Sequence, residues 1–486
     1  MDIENRKLAN LEPKAFFRYF EDLTRIPRPS GKEEKVVEYL MEFAKENGLY
    51  AEKDEFNNVL IKKPASKGYE DHDTVILQAH IDMVCEKNPG VEHDFDKDPI
   101  DITVEDGKVI AKDTTLGADD GVGVAFAMAI LADKEIKHPA IEFLATSDEE
   151  RGMTGIENFD FSKLTGNKVI NIDSDDEGLV VVGCAGGPVI RVKLPLSYKE
   201  ADNKNTYKVK VAGLSGGHSG EDIHRGRANS NKLMVRVLMD ALNIDSLEIA
   251  DIVGGDKYNA IPRNTEAYVN IAEKDVEKLK EIASKFEKIF KHEYRVSDSD
   301  IYVEVSKVDT IDKVLDREST MRVLDFINFA DTGIIRMDMD YPDTVETSIS
   351  LGVIRLEGDK TRIEIMTRSS MESQFNLLAD KVFRLTELLG GEYEVMSNCP
   401  PWEYVVDSDL RTTYENVWEE MTGEKPKMMI LHAGLEPSEF AKHIDRDLDM
   451  ISMGPDIRLL HAPGEYFVID SAKKVYESVI TLLERL

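Results

Sequence analysis

Residues 75–84 read VILQAHIDMV, an apolar run that ends by placing a histidine and a carboxylate two positions apart. Side chains alternate faces along a strand, so His80 and Asp82 point the same way while Ile81 turns back into the interior. A hydrophobic strand that delivers two ionisable groups to one spot predicts a sheet with a site at its end. Working outward, further apolar strand candidates lie at 58–62, 140–145 and 168–172, separated by helical stretches such as 123–133. This alternation predicts an α/β fold, a mixed and mostly parallel sheet flanked by helices. Ahead of it, RIPRPSGKEEKVVEYLMEFAKENG at 25–48 predicts a helix with Ser30 as N-cap, Glu33 three residues on, and Gly48 just past its end.

From 188 to 398 the texture changes. Strand candidates at 207–211, 266–271, 301–305 and 362–366 alternate with charged helices at 229–242, 274–290, 314–330 and 372–389. Two strand-helix-strand pairs in succession predict a duplicated α+β unit. After NCPPW at 398–402 come a helix at 410–421, strands at 427–431 and 450–453, and a C-terminal helix from Ser471. With 486 residues, too many for one ordinary core, the expected organisation is a catalytic domain made from 1–187 and 399–486 with 188–398 inserted.

A formal charge of −33 disfavours nucleic acid and anionic membranes, which points to a small-molecule or peptide partner. The three cysteines, Cys85, Cys184 and Cys399, are too scattered for a disulfide framework or a thiolate zinc knuckle. The first twenty residues do not read as a secretory signal, and no run reaches the roughly 18 apolar residues of a membrane span, so a cytoplasmic protein is expected.

Ligand-type residues recur at the predicted strand ends. TTLGADDGVGVA at 114–125 carries Asp119 and Asp120 in a glycine-rich turn, LATSDEERG at 144–152 carries Asp148, Glu149 and Glu150, and VINIDSDDEG at 169–178 carries Asp173. The C-terminal part adds His432 in MMILHAGLEP and His461 in IRLLHAPGE. Ligands of open α/β sheets bind outside the carboxyl ends of the strands, so His80, Asp82, Asp119, Glu149, Glu150 and Asp173 can converge there. Singly, each acid is more simply a cap or turn former, as Asp175 to Glu177 are read. Together they could not share a crevice without protons or cations to neutralise them. Histidine and carboxylate donors without thiolate suit zinc, with manganese or cobalt possible. GADDGVG does not match a dinucleotide loop, and there is no H-E-x-x-H, P-loop lysine or G-x-S-x-G elbow.

These blocks, with IPRPSGKEEKV, GGHSGEDIHRGRANS, NAIPRN and TRSS, resemble in order and over nearly the full length those of the di-zinc metallopeptidase superfamily. That superfamily includes acetylornithine deacetylase, peptidase T and the carnosinase-like dipeptidases, and the resemblance is strongest to the aminoacyl-histidine dipeptidases. The resemblance implies two Zn2+ per subunit, for which Mn2+ or Co2+ could substitute. His80 and Asp173 would hold one ion, Glu150 and His461 the other, with Asp119 bridging. Glu149 would be the general base for a metal-bridged hydroxide and Asp82 would orient His80. His218, Asn259, Arg368 and a backbone contact at Gly434 would bind substrate, from an inserted lid domain that also carries a homodimer interface. In some members His218 serves the neighbouring subunit's site. The implied activity is hydrolysis of dipeptides, with preference for Xaa-His including β-alanyl-histidine. A related deacetylase or aminopeptidase, or a non-catalytic peptide-binding protein on the same fold, stays open as an alternative. Arg368 could equally pair with a neighbouring acid, and His224, His432 and Glu436 are given only supporting roles.

Overall fold

A computed structural model describes residues 6–486, which fall into two compact units. The first runs to Gly183 and resumes over Tyr404–Met429 and Leu435–Leu486; the second is Cys184–Glu403 with Ile430–Gly434. The stretch 399–486 is therefore not wholly part of the first unit. Backbone pairing accounts for the difference: Cys184 bridges to Trp402, and the Ala185 N–H donates to the Leu431 carbonyl at 2.9 Å.

The sheet of the first unit places Tyr50–Lys53, Val59–Lys63, Ile141–Thr146, Val75–His80, Lys168–Asn171 and Asp449–Ser452 side by side, followed by Leu179–Cys184 and Lys427–Leu431. The middle four strands are mutually parallel, with His80 opposite Thr146, Gln78 opposite Asn171 and Ile170 opposite Ile451. Val75–His80 and Ile141–Thr146 are buried at every position, as expected for parallel strands covered on both faces. Parallel direction is what matters for function, because it brings these carboxyl ends to one edge. Helix Ala118–Ala132 is buried almost throughout and is apolar on all sides. Its Phe126 meets Phe16 edge-on at 4.7 Å and lies 5.3 Å from Tyr476 of the C-terminal helix Ile469–Leu483.

The first predicted helix starts later than its sequence suggested. It spans Glu34–Glu46 with Glu33 at the N-cap position, and the Glu33 carboxylate accepts the Gly31 N–H. Ser30 is not the cap: its hydroxyl donates to the Met83 carbonyl at 3.4 Å, beside a bridge between Pro29 and Met83. The end is as expected, with Gly48 at φ +68° donating to the Lys45 carbonyl.

The second unit has an antiparallel sheet in the order Tyr302–Lys307, Thr206–Ala212, Thr265–Asn270, Glu248–Gly254, Val345–Glu357, Lys360–Ser369, Gly187–Lys193 and Glu392–Cys399. Gly333–Met337 pairs with Val345–Glu357 as well. The two halves of this sheet meet at one register pair, Gly254 opposite Ile354. Helices Ser230–Ala241, Val276–Glu293, Arg317–Phe329 and Glu372–Leu388 share one apolar core with it, including Val209, Leu238, Leu279, Phe326, Ile365 and Val382.

Candidate metal centre

The centre lies in the first unit and is built from the ends of its parallel strands. His80 closes Val75–His80, with Nε2 at 2.9 Å from Asp119 Oδ1 and 3.6 Å from Asp173 Oδ1, and Nδ1 at 3.4 Å from Asp82 Oδ1. Asp173 follows Lys168–Asn171 by two residues. Glu149 and Glu150 open a short turn after Ile141–Thr146, and Asp82 accepts both their backbone N–H groups, at 3.1 and 3.3 Å. His461 enters from the C-terminal part, its Nε2 3.3 Å from Asp119 Oδ2 and 3.0 Å from Glu150 Oε2. Three overlapping donor groups result: His80, Asp119 and Asp173; Asp119, Glu150 and His461; and His80 with Glu149 and Glu150.

Asp119 stands at the start of its helix on a turn that is bonded from two directions. Glu465 accepts the N–H groups of Leu116, Gly117, Ala118 and Asp119. Arg28, itself buried, donates to the carbonyls of Gly117, Ile81 and Asp82. Gly117 has φ +69°, and a Cβ there would lie 2.5 Å from Arg28 Nη2. Asp120 accepts from the Gly123 N–H at 3.0 Å like a helix cap. One layer deeper, the buried Glu436 accepts from Thr146 Oγ1 at 2.8 Å and from Gln78, which in turn accepts from Asn171. Sequence reasoning gave Arg28 and Glu465 no role. Glu465 sits in a block that was noticed, but no spacing links it to amides more than three hundred residues earlier.

Electrostatics shows what this donor set lacks. Burial works against a charged His80, yet the carboxylates of Asp173, Asp119 and Asp82 outweigh it and hold its pKa well above the ordinary histidine range. Hydrogen bonds to Asp119 and Glu150 push His461 up to about 10. Burial, opposed by His80 and reinforced by neighbouring carboxylates, raises Asp173 and Glu149 far above the normal acid range. Burial likewise pushes Glu436 up to about 7. All these shifts have one cause, carboxylates crowded where little water reaches them, and a bound cation is what relieves such crowding. A buried Glu150 Oε1 has no hydrogen-bond partner among the described residues, a donor atom available for ligation. Two imidazoles and three carboxylates, with no thiolate, fit hard or borderline divalent ions. Cys85, whose thiol burial pushes up to about 11, is not among them.

The residues expected to bind substrate group within the second unit. His218 pairs with Ala260 in a two-residue ladder, and the Ser219 N–H donates to the Asn259 carbonyl at 2.9 Å. Arg368 lies opposite Ser348, whose hydroxyl meets His432 Nε2 at 2.7 Å. A Cβ on Gly220 would fall 2.2 Å from the His432 carbonyl and 3.1 Å from Arg368 Nε, so this corner is tightly closed. Arg368 is buried, and among the described residues no carboxylate forms an ion pair with it. Pairing with a neighbouring acid, the simplest fate expected for it, is not what the structure shows. Burial, then the nearby Arg368 charge, lowers both His218 and His432, the latter to about 3. Gly434 lies two residues beyond His432 and is half-buried, while His224 is exposed.

The sequence profile of Peptidase family M20/M25/M40 matches residues 76–485. The chain is 34% identical over 481 residues to the cytosol non-specific dipeptidase of Escherichia coli strain K12, covering 99% of each. Its structure is similar to that of aminoacylhistidine dipeptidase from Vibrio alginolyticus, with a TM-score of 0.91 and 36% identity over 99% of this chain and 98% of that one. Similarity to aminopeptidase PepT from Bacillus cereus, at a TM-score of 0.56 and 16% identity over 98% of both chains, is one of fold alone. A parallel sheet that gathers histidines and carboxylates at one edge, and relatives matched over their whole length, lead to the same place: the chain belongs to Peptidase family M20/M25/M40 and is a peptidase, a hydrolase.

Proposed function

We propose that the protein is a dipeptidase that works with two divalent ions, zinc in the first instance, and prefers substrates of the form Xaa-His. The observation that carries this reading is Asp119, whose two carboxylate oxygens face two different imidazoles, His80 on one side and His461 on the other. His80, Asp173 and Asp119 would hold one ion, and Asp119, Glu150 and His461 the other. When bound, such ions supply Lewis acidity and bring the pKa of a bound water from about 15.7 towards 7. Glu149 accepts the proton of the attacking water and returns it to the leaving amine. Asp82 acts indirectly, turning the His80 ring and pinning the Glu149 and Glu150 amides. Arg368, a buried guanidinium without an acidic partner among the described residues, is suited to the carboxylate of the substrate, with His218, Asn259 and Gly434 as further contacts.

The preference for a C-terminal histidine is supported by the name of the Vibrio relative. A broader dipeptidase is the second reading, favoured by the name of the Escherichia coli relative. Metal analysis of the purified protein, with a panel of carnosine, other Xaa-His dipeptides, unrelated dipeptides, tripeptides and N-acetyl amino acids before and after chelation, separates them. Xaa-His turnover that is lost on chelation and regained with Zn2+ supports the first reading. Equal turnover of all dipeptides supports the second, and turnover of N-acetyl amino acids alone would refute both.

A homodimer formed through the second unit belongs to the same proposal. It is supported by the exposed apolar side chains Ile334, Ile335 and Met337 along the strand Gly333–Met337, and sedimentation velocity checks it. A cytoplasmic setting is proposed as well, supported by the name of the Escherichia coli relative, a cytosol dipeptidase.

A further inference from the structure

The carboxylate of Glu465 touches none of the candidate ligand side chains, yet it is buried and accepts four consecutive backbone N–H groups at 2.7, 3.0, 2.7 and 3.3 Å. Four amides converge on one anion because the left-handed Gly117 curls the chain around it. The Gly117 peptide is also held from behind, its carbonyl accepting from Arg28. The last of the four amides belongs to Asp119, so the backbone of the bridging residue is fixed while its carboxylate stays free to face both imidazoles.

The backbone of Glu465 closes the short loop that follows His461. The Glu465 N–H donates to the Ala462 carbonyl, and the Gly464 N–H to the carbonyls of Ala111 and Thr114. Next along the chain, Tyr466–Val468 pairs with Lys108–Ile110. His461 has φ +58°, a conformation that a non-glycine residue keeps only when its surroundings hold it.

We propose that Glu465 is a positioning residue that sets the distance between Asp119 and His461, and so tunes the cation position formed by Asp119, Glu150 and His461. This rests on the reading of the centre as a two-cation site. Asp119 belongs to both positions, so the effect should be unequal rather than confined to one. His80 and Asp173 of the other position are carried at the ends of buried parallel strands that need no help from Glu465. The position made with His461 joins a turn to a distant loop and depends on the cradle for that spacing, whereas the other shares only Asp119 with it.

The test titrates metal-free, full-length protein with Zn2+ against a chromophoric chelator, comparing wild type with Glu465→Gln. The expected result is two ions bound by the wild type, with one of them about 10- to 100-fold weaker in the variant and the other, which shares only Asp119, weakened by about threefold or less. Wild-type affinity for both ions in the variant, or an equal loss at both, overturns the proposal. A wild type that takes up fewer than two ions overturns the two-cation reading along with it. Hydrogen exchange in the metal-free wild type guards against a variant that does not fold. Slow exchange of the 116–119 amides is expected, and exchange as fast as in an unstructured loop would overturn a preformed cradle.

Discussion

Two polar clusters in this very acidic chain are built on opposite electrical plans. The centre of the first unit crowds five carboxyl groups around two imidazoles, and that crowding shifts His80, Glu149 and Asp173 far above their ordinary pKa. The corner of the second unit buries the Arg368 guanidinium and the His432 ring, with His218 half-buried beside Glu221 and no ion pair to Arg368 among the described residues. One crowds carboxyl groups, and the other buries a cation that no carboxylate pairs with directly. In a chain of net charge −33, a buried arginine that forms no direct ion pair among the described residues is the more informative of the two, since acids are abundant. A purely structural cluster is neutralised from within; each of these is completed by something of the opposite sign.

The strongest way to break this comparison is Glu149→Ala. Loss of the general base should lower kcat by about 10²- to 10⁴-fold while metal content, read by atomic emission, stays at the wild-type level. Unchanged turnover would remove the catalytic reading of the first cluster. Next in size is Arg368→Met. Removing one member of a buried charge pair costs about 2–5 kcal/mol, so kcat/KM for dipeptides should fall by at least tenfold. The same variant should lose little on substrates whose C-terminus is amidated, and an equal loss on both would deny the arginine its carboxylate.

The imidazole His432 offers a subtler test, through pH. Its folded-state pKa of about 3 lies below the roughly 6.5 of a free histidine, so its stabilising contribution is present above pH 6.5 and is lost as pH falls towards 3. At pH 5 the loss is on the order of 2 kcal/mol, and His432→Gln should flatten the acid limb of a denaturation series followed by circular dichroism. An acid limb as steep as wild type would show that the ring is not held neutral. The smallest expected effect is local: Asn229 accepts from the N–H groups of Asn231 and Lys232 at the start of Ser230–Ala241. Asn229→Ala should cost about 1 kcal/mol in stability and leave the metal content of the first cluster untouched.

The sequence made the first cluster more legible than the second. A buried parallel strand announces itself as a short apolar run, and a carboxylate or histidine at its end stands out against it, as at His80 and Asp173. The Val345–Glu357 strand was not foreseen: VETSISLGVIRLE mixes hydroxyls and a glycine into a stretch that is buried for ten residues, because it runs through the middle of a sheet. Ser30 looked like a cap, but a bridge to Met83 takes the chain past it. Arg28 and Glu465 were illegible for another reason. They bond to backbone atoms, and backbone partners carry no side-chain signature that a sequence could display. The two compact units divide a few residues away from the expected boundaries at 187 and 398 for the same cause, since the pairing of Cys184 with Trp402 is also made by the main chain.

The parallel register of the central strands bears on how such an enzyme can change. Because His80 is aimed by the alternation of Val75–His80, inserting or deleting one residue within that strand would turn the imidazole to the opposite face of the sheet. New specificities in this lineage should therefore arise by point substitution in the core strands and by length variation only in the connecting loops.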